Sequence, residues 1–233
     1  MTALRRIARL EHRLTRPDAS LADLDAALRA VSADTISTLL VAPWLVKPAV
    51  RRGLPAGVRV AAVIGYPHGG QVSAVKAFEA SRALEEGAAE LDFSINSGAL
   101  LSGDEAAVMD DMRAVVEMGH AALGRCGAIV GSGSLPEELL VRASRLAVRA
   151  GVDYIVTSPG DTPASEAIAL VRLLRRVAGD ELEVKAAGSF TTLSEVTDAF
   201  AAGANGVSTV FDSLLAAEAE AWLRPPALAQ RAG

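Results

Sequence analysis

A strand-like run followed by a helix-like run recurs eight times along this chain, and that recurrence limits the fold more than any other feature. Strands are expected at 10–14, 35–42, 59–65, 90–96, 126–130, 153–157, 183–187 and 206–210. Each is followed by a helical pattern: the apolar spacing of Leu21, Leu24, Leu28 and Val31, then 44–53, 72–86, 104–123, 136–149, 165–177, 193–202 and 213–223. Gly87, Gly151, Gly179 and Gly203 stand just ahead of the next strand, where a glycine ends a helix cheaply in the left-handed conformation. Strands buried on both faces and alternating with helices imply a parallel sheet. Eight such units close into a (β/α)8 TIM barrel of the α/β class. An open doubly wound sheet is the alternative, but no Gly-x-Gly-x-x-Gly follows the first strand.

Length agrees with one such unit, since 233 residues, 51% of them hydrophobic, suit a single core spanning 1–233. Residues 1–10 are expected to hold a short N-terminal helix, and 224–233 a loose tail. A net charge of −5 offers no basic footprint for nucleic acid or an anionic membrane. No apolar run approaches the ~18 residues of a membrane span, and the charged N-terminus does not read as a signal peptide. A cytoplasmic location is therefore expected. Cys126 is the single cysteine, so an intramolecular disulfide is excluded. Neither a metal cluster nor a cofactor is expected.

Two strands carry an ionisable residue inside an apolar run: Asp92 in 90–96 and Lys185 in 183–187. A buried charge costs several kcal/mol unless paired, so such residues persist when partnered or used. The contrast with the rest of the chain sharpens this point. Of 23 basic residues only Lys47, Lys76 and Lys185 are lysines. Arginine cannot lose its proton, whereas a desolvated lysine can, and it then becomes a nucleophile. Active sites of these barrels form at the C-terminal strand ends. There the chain places Gly65-Tyr66-Pro67-His68, then Asp92, Ser94 and Asn96 in alternation, then Thr157-Ser158, Gly188-Ser189 and Ser208-Thr209.

Several stretches together resemble the deoxyribose-phosphate aldolase family. They are Glu11-His12-Arg13-Leu14-Thr15-Arg16-Pro17, Val63-Ile64-Gly65-Tyr66-Pro67 and Val75-Lys76-Ala77-Phe78-Glu79-Ala80. The series continues with Glu90-Leu91-Asp92, Ile95-Asn96-Ser97-Gly98-Ala99-Leu100, Asp153-Tyr154-Ile155-Val156-Thr157-Ser158 and Val184-Lys185-Ala186-Ala187-Gly188. The resemblance implies carbon–carbon bond chemistry through a Schiff-base lysine on strand six. A second lysine on strand seven would match Lys185, and a proton-transferring aspartate on strand four would match Asp92. The Schiff-base position falls at Val156, which cannot form an imine. Beside Asp92 alone, Lys185 is expected to be held as ammonium. The family's phosphate loops, after strands seven and eight, correspond to Gly188-Ser189-Phe190-Thr191 and Ser208-Thr209-Val210-Phe211-Asp212, where Ser189 and Ser208 replace glycines. Its N-terminal aspartate corresponds to Glu11.

The expected function is a divergent aldolase-type lyase on a small aldehyde or sugar-like carbonyl compound, with or without a phosphate. Lys185 and Asp92 are the expected catalytic residues. Ser94, Asn96, Thr157, Ser158, Gly188, Ser189, Ser208 and Thr209 are the expected substrate contacts. Two alternatives stay open: acid/base chemistry without an imine (isomerisation, cyclisation or dehydration), and a catalytically silent subunit that binds a metabolite or partner. The resemblance also implies a homodimer. Lys76 with Glu79 reads as a surface ion pair at i,i+3, Cys126 as a core residue, and Trp44 as a packing aromatic.

Overall fold

The computed structural model describes residues 9–31, 36–131, 135–158 and 160–223. Its strands are β1 (Arg9–Leu14), β2 (Thr38–Val41), β3 (Arg59–Ile64), β4 (Glu90–Ser94), β5 (Arg125–Ile129), β6 (Tyr154–Val156), β7 (Glu183–Ala187) and β8 (Gly206–Thr209). Each pairs in parallel with the next, and β8 closes onto β1 through registers such as Glu11 with Ser208. The helices are α1 (Leu21–Ala30), α2 (Pro43–Arg52), α3 (Ser73–Glu85), α4 (Ser97–Leu101), α5 (Glu105–Ala121), α6 (Glu137–Ala150), α7 (Ala164–Ala178), α8 (Leu193–Ala201) and α9 (Ser213–Leu223). This is the expected (β/α)8 barrel, with the apolar stripe of each helix on the outer face of the sheet. On α6, for example, Leu140, Ala143, Leu146, Ala147 and Ala150 are buried, and Gly151 (φ +82°) ends the helix in the left-handed region.

Three expectations change. Arg9 and Leu10 belong to β1 rather than to a helix over 1–10; the rest of that segment and the tail 224–233 lie outside the described residues. A short extra helix, α4, interrupts the loop after β4. Asn96 starts it by accepting the Ala99 amide on its side chain at 3.0 Å, so strand alternation stops at Ser94. Lys76 and Glu79 do not pair on the surface. Lys76 is fully buried, and its Nζ donates to Asp111 Oδ2 and to the Ser94 carbonyl, both at 2.7 Å. Glu79 instead accepts the Gly65 amide at 2.7 Å. Two side chains of α3 thus hold the ends of β3 and β4, and Lys76 also ties the β4 end to α5. The spacing of Lys76 and Glu79 suggested a pair because it ignores what packs over the helix.

The barrel interior is built in tiers. Ion pairs ring the N-terminal end: Arg9 and Arg125 to Glu183 at 2.9 and 2.7 Å, and Arg59 to Glu90 at 2.7 Å. The middle tier holds Glu11, Asp92, Tyr154 and Lys185. Toward the C-terminal end an apolar collar follows, comprising Leu40, Val63, Ile129, Val156 and Ala187, with Tyr66 packed against both of its sides.

Candidate active site

Lys185 projects from β7 into the middle tier, where β1 and β4 each supply a carboxylate. Its Nζ lies 2.7 Å from Glu11 Oε2, and 2.9 and 3.1 Å from the two oxygens of Asp92. The Tyr154 hydroxyl donates to Asp92 Oδ1 at 2.6 Å, and the Tyr154 ring lies under the ammonium, 4.6 Å from its centroid. That ring fits because β5 has a glycine opposite it: a Cβ on Gly127 would fall 1.9 Å from a Tyr154 ring carbon. Asp92 is fully buried, and Lys185 retains 9% of its exposure. Between the middle tier and the N-terminal ion pairs is a cavity of about 20 Å³, room for roughly one water.

Charge count decides the protonation states. Burial pulls Lys185 toward the neutral amine, but Asp92 and Glu11 outweigh it and hold the group above the ordinary lysine range. Glu11 is pushed up from 4.5 to about 7, chiefly by burial, with Lys185 opposing and Asp92 adding to the rise. Burial, then Asp92, also raises the Tyr154 phenol well above its usual range. The cluster therefore holds an ammonium, a carboxyl poised to titrate near neutrality, and a protonated phenol on the second carboxylate. It can stabilise a developing oxyanion and move a proton. It is poorly set up to offer a free amine.

The other expected residues are placed as follows. Ser94 is buried on β4, and its carbonyl takes the Lys76 bond. Asn96 caps α4. Thr157 Oγ1 accepts the Ala187 amide at 2.9 Å, and Ser158 Oγ donates to the Ala187 carbonyl at 2.6 Å. Gly188 is buried beside β8, while Ser189 is exposed in the loop that follows. Ser208 is buried two residues before Val210, and Thr209 Oγ1 accepts the Phe190 amide at 3.1 Å. Val156 pairs directly with Lys185 in the β6–β7 ladder, which puts position 156 next to the ammonium.

Sequence reasoning missed two members of the cluster. Glu11 was legible only as the counterpart of a family aspartate, and Tyr154 was given no role. Tyr154 stands two residues before Val156, so alternation alone puts both side chains on the same face. His12 is buried; its Nδ1 accepts the Phe211 amide at 3.3 Å, and burial, aided by the charge of Arg13, lowers it to about 4. His68 is exposed. Cys126 is buried, as expected, with its thiol pushed up to about 12 by burial. It does not stand alone, however. His120 and Asp153 bring ligand atoms within 4.8 Å of it, a grouping that one cysteine in the composition did not suggest. Asp153 Oδ2 in that group already meets the Cys126 amide at 2.7 Å and the His120 ring at 3.0 Å.

Known proteins agree with this architecture. A deoxyribose-phosphate aldolase of Streptococcus equi subsp. zooepidemicus is 36% identical over 200 residues, covering 86% of this chain and 90% of the relative. One of Thermococcus kodakarensis is 43% identical over 154 residues, covering 66% and 69%. The solved structure of QR15, an aldolase, superimposes with a TM-score of 0.80 at 26% identity, covering 89% of this chain and 92% of that one. No described helix is long and apolar enough to cross a membrane. The family model for DeoC/LacD family aldolases matches residues 5–215, and with these relatives it establishes that the chain belongs to the DeoC/LacD aldolase family.

Proposed function

We propose that this protein makes or breaks a carbon–carbon bond in a small hydroxy-carbonyl compound, with Lys185 acting as an ammonium rather than as an imine-forming amine. The observation that carries this reading is Lys185 Nζ within 2.9 Å of both Glu11 and Asp92. In the cleavage direction a carboxylate, Glu11 or Asp92, accepts the proton of the substrate hydroxyl. The carbon–carbon bond breaks, and its electron pair ends on the carbonyl oxygen as an enolate facing Lys185. The enolate carbon then takes the proton back from the carboxyl, leaving two carbonyl products. Val156 occupies the position that the family resemblance assigns to the Schiff-base lysine, consistent with a route that needs no imine.

A panel of aldol acceptors and donors, assayed by mass spectrometry, tests this. Lys185→Met and Asp92→Asn are each expected to lower turnover by about 10³-fold or more, the scale of removing a charge aimed at the reacting oxygen. Borohydride is expected to trap no adduct on the wild-type protein. An adduct on Lys185, or full activity in Lys185→Met, would overturn the reading.

One observation favours a second reading, a binding protein without turnover: the cluster lies beneath an apolar collar on which Tyr66 packs. Val156→Lys separates the two. It sets a second amine beside Lys185, which lowers the pKa of both. If the rest of an aldolase site is intact, borohydride then traps acetaldehyde on the new lysine. Wild-type inactivity across the panel together with an inert Val156→Lys variant would leave the silent reading standing.

A further inference from the structure

The grouping of His120, Cys126 and Asp153 lies on the outer side of the barrel wall. Gly127 faces the Tyr154 ring inside the barrel, so its neighbour Cys126 points outward to α5 by strand alternation. A Cβ on Gly119 would fall 2.1 Å from Cys126 Sγ, so the bare backbone at 119 lets the thiol reach the helix one residue before His120. Helix α5 ends at Ala121, and the turn 122–124 leads straight back into β5. Leu123 is left-handed there (φ +60°), and Gly124 N donates to Gly119 O at 2.8 Å. That short reversal sets a histidine of the helix beside a cysteine of the strand. Asp153 arrives at the start of β6 and is fixed from both sides. Its amide donates to Cys126 O at 2.8 Å, and its Oδ2 accepts the Cys126 amide at 2.7 Å.

The donor set is one imidazole nitrogen, one thiol sulfur and one carboxylate oxygen, all within 4.8 Å of one another. Ligand atoms of a tetrahedral zinc ion stand about 3.3–3.6 Å apart, given bonds of about 2.0–2.3 Å. His120 Nε2 and Asp153 Oδ2 are already 3.0 Å apart, so the closure that is left is toward the sulfur, and about 1 Å of movement supplies it. The thiol makes only a long contact, to Val115 O at 3.9 Å, and a thiol is a weak donor. Both side-chain bonds of Asp153 fall on Oδ2, so Oδ1 can serve as ligand while the Cys126 amide still orients the carboxylate. The His120 and Asp153 side chains are 44% and 32% exposed, which gives an ion a way in and leaves room for a water. An exposed His–Asp contact on its own is worth little, and it makes no use of the sulfur.

We propose that His120, Cys126 and Asp153 form a site for one divalent ion of the zinc class, with a water as fourth ligand. Sulfur and imidazole beside a carboxylate suit that class of metal, whereas calcium and magnesium take oxygen. On binding, the thiol proton passes to solvent as the sulfur–metal bond forms, and His120 binds through Nε2 with its proton on Nδ1. The site is structural. It lies at the N-terminal strand ends, the face of such barrels that serves stability rather than chemistry, and the ion would join α5, β5 and the start of β6. It is independent of the reaction proposed above.

Cobalt(II) titration of the untagged, chelator-stripped full chain, kept reduced with a phosphine, tests this. Thiolate bound to cobalt gives a near-ultraviolet charge-transfer band that carboxylate and imidazole do not. The wild type is expected to take up one cobalt ion per chain with that band, and to lose it to one equivalent of zinc. Calorimetric titration with zinc should give a Kd of about 10 μM or tighter. His120→Ala, at an exposed position, should weaken zinc at least about 10-fold, since even outer-shell partners cost that much. Cys126→Ala should abolish the band. Zinc should raise the wild-type Tm, and raise it less in His120→Ala at the same concentration. The site is overturned if the wild type gives no thiolate band. It is equally overturned if zinc binds both variants as it binds the wild type, which is the result of an adventitious ion only. Should Cys126→Ala fail to fold, an unchanged cobalt affinity in His120→Ala overturns the site by itself.

Discussion

Two buried lysines in this molecule, Lys185 inside the barrel and Lys76 between the sheet and α5, meet carboxylates at nearly the same distance, and their charges fare differently. Lys76 has one carboxylate in contact, Asp111, and burial wins: the amine is lowered and the acid raised from their ordinary values. Lys185 has two, and the amine is raised. The number of facing carboxylates therefore outweighs burial in setting the proton. It also separates the roles of the two residues. The lysine nearer to a nucleophilic amine is the one with no exposed surface, where it ties the end of β4 to α5. The lysine in the reactive barrel is held as a cation.

The largest effect expected from breaking this comparison is on stability. Lys76→Met should cost about 3–5 kcal/mol in chemical denaturation, because Asp111 is left buried and uncompensated. Combining it with Asp111→Leu should recover most of that loss. A double variant no more stable than the single would show that the pair is not the cause.

A second expectation concerns acid titration, where two groups oppose each other. Glu11 in the fold titrates near 7 against an ordinary 4.5. Its folded form binds the proton more tightly, so its contribution is full below about pH 4.5 and disappears as pH rises through 7. His12 titrates near 4 against 6.5. Its contribution is full above about pH 6.5 and is lost as pH falls through 4. Each shift is worth roughly 3 kcal/mol. Between pH 4.5 and 6.5 the two slopes offset, and the wild-type unfolding free energy should be nearly flat. Glu11→Gln should reveal a rise with pH, and His12→Asn a fall. Parallel curves for wild type and both variants would contradict the assigned states.

The smallest effect tests what Tyr154 adds. Tyr154→Phe removes one hydrogen bond to a charged group and leaves Asp92 with Lys185, so a loss of about 1.5–3 kcal/mol is expected by denaturant titration. A loss below about 0.5 kcal/mol would make the phenol a spectator.

The barrel was legible in the sequence because it depends on periodicity. Eight strand–helix alternations survive errors of one or two residues at each boundary, and glycines such as Gly151 mark the helix ends. Asp92 and Lys185 were legible because a charge in an apolar strand stands out. Glu11 was harder to see, since the Arg9–Leu14 strand interleaves Arg9, Glu11 and Arg13 with Leu10, His12 and Leu14 as a half-exposed strand would; it takes the closed ring to turn its charged face inward. Lys76 was misread for the related reason that helix spacing reports neighbours on one helix and says nothing of Asp111, thirty-five residues away. The partners of the Phe190 and Phe211 amides in the loops after β7 and β8 could not be read, because an amide's partner is a property of the folded path.

The missing side chain at Gly127 bears on how this chemistry could be inherited. The phenol of Tyr154 stands in the space that any larger residue at 127 would claim. Positions 127 and 154 can therefore drift only together, and a lineage that gains bulk at the first must surrender the aromatic alcohol at the second. Homologues that keep a tyrosine opposite a glycine are the natural places to seek the same buried cluster, whatever their overall divergence.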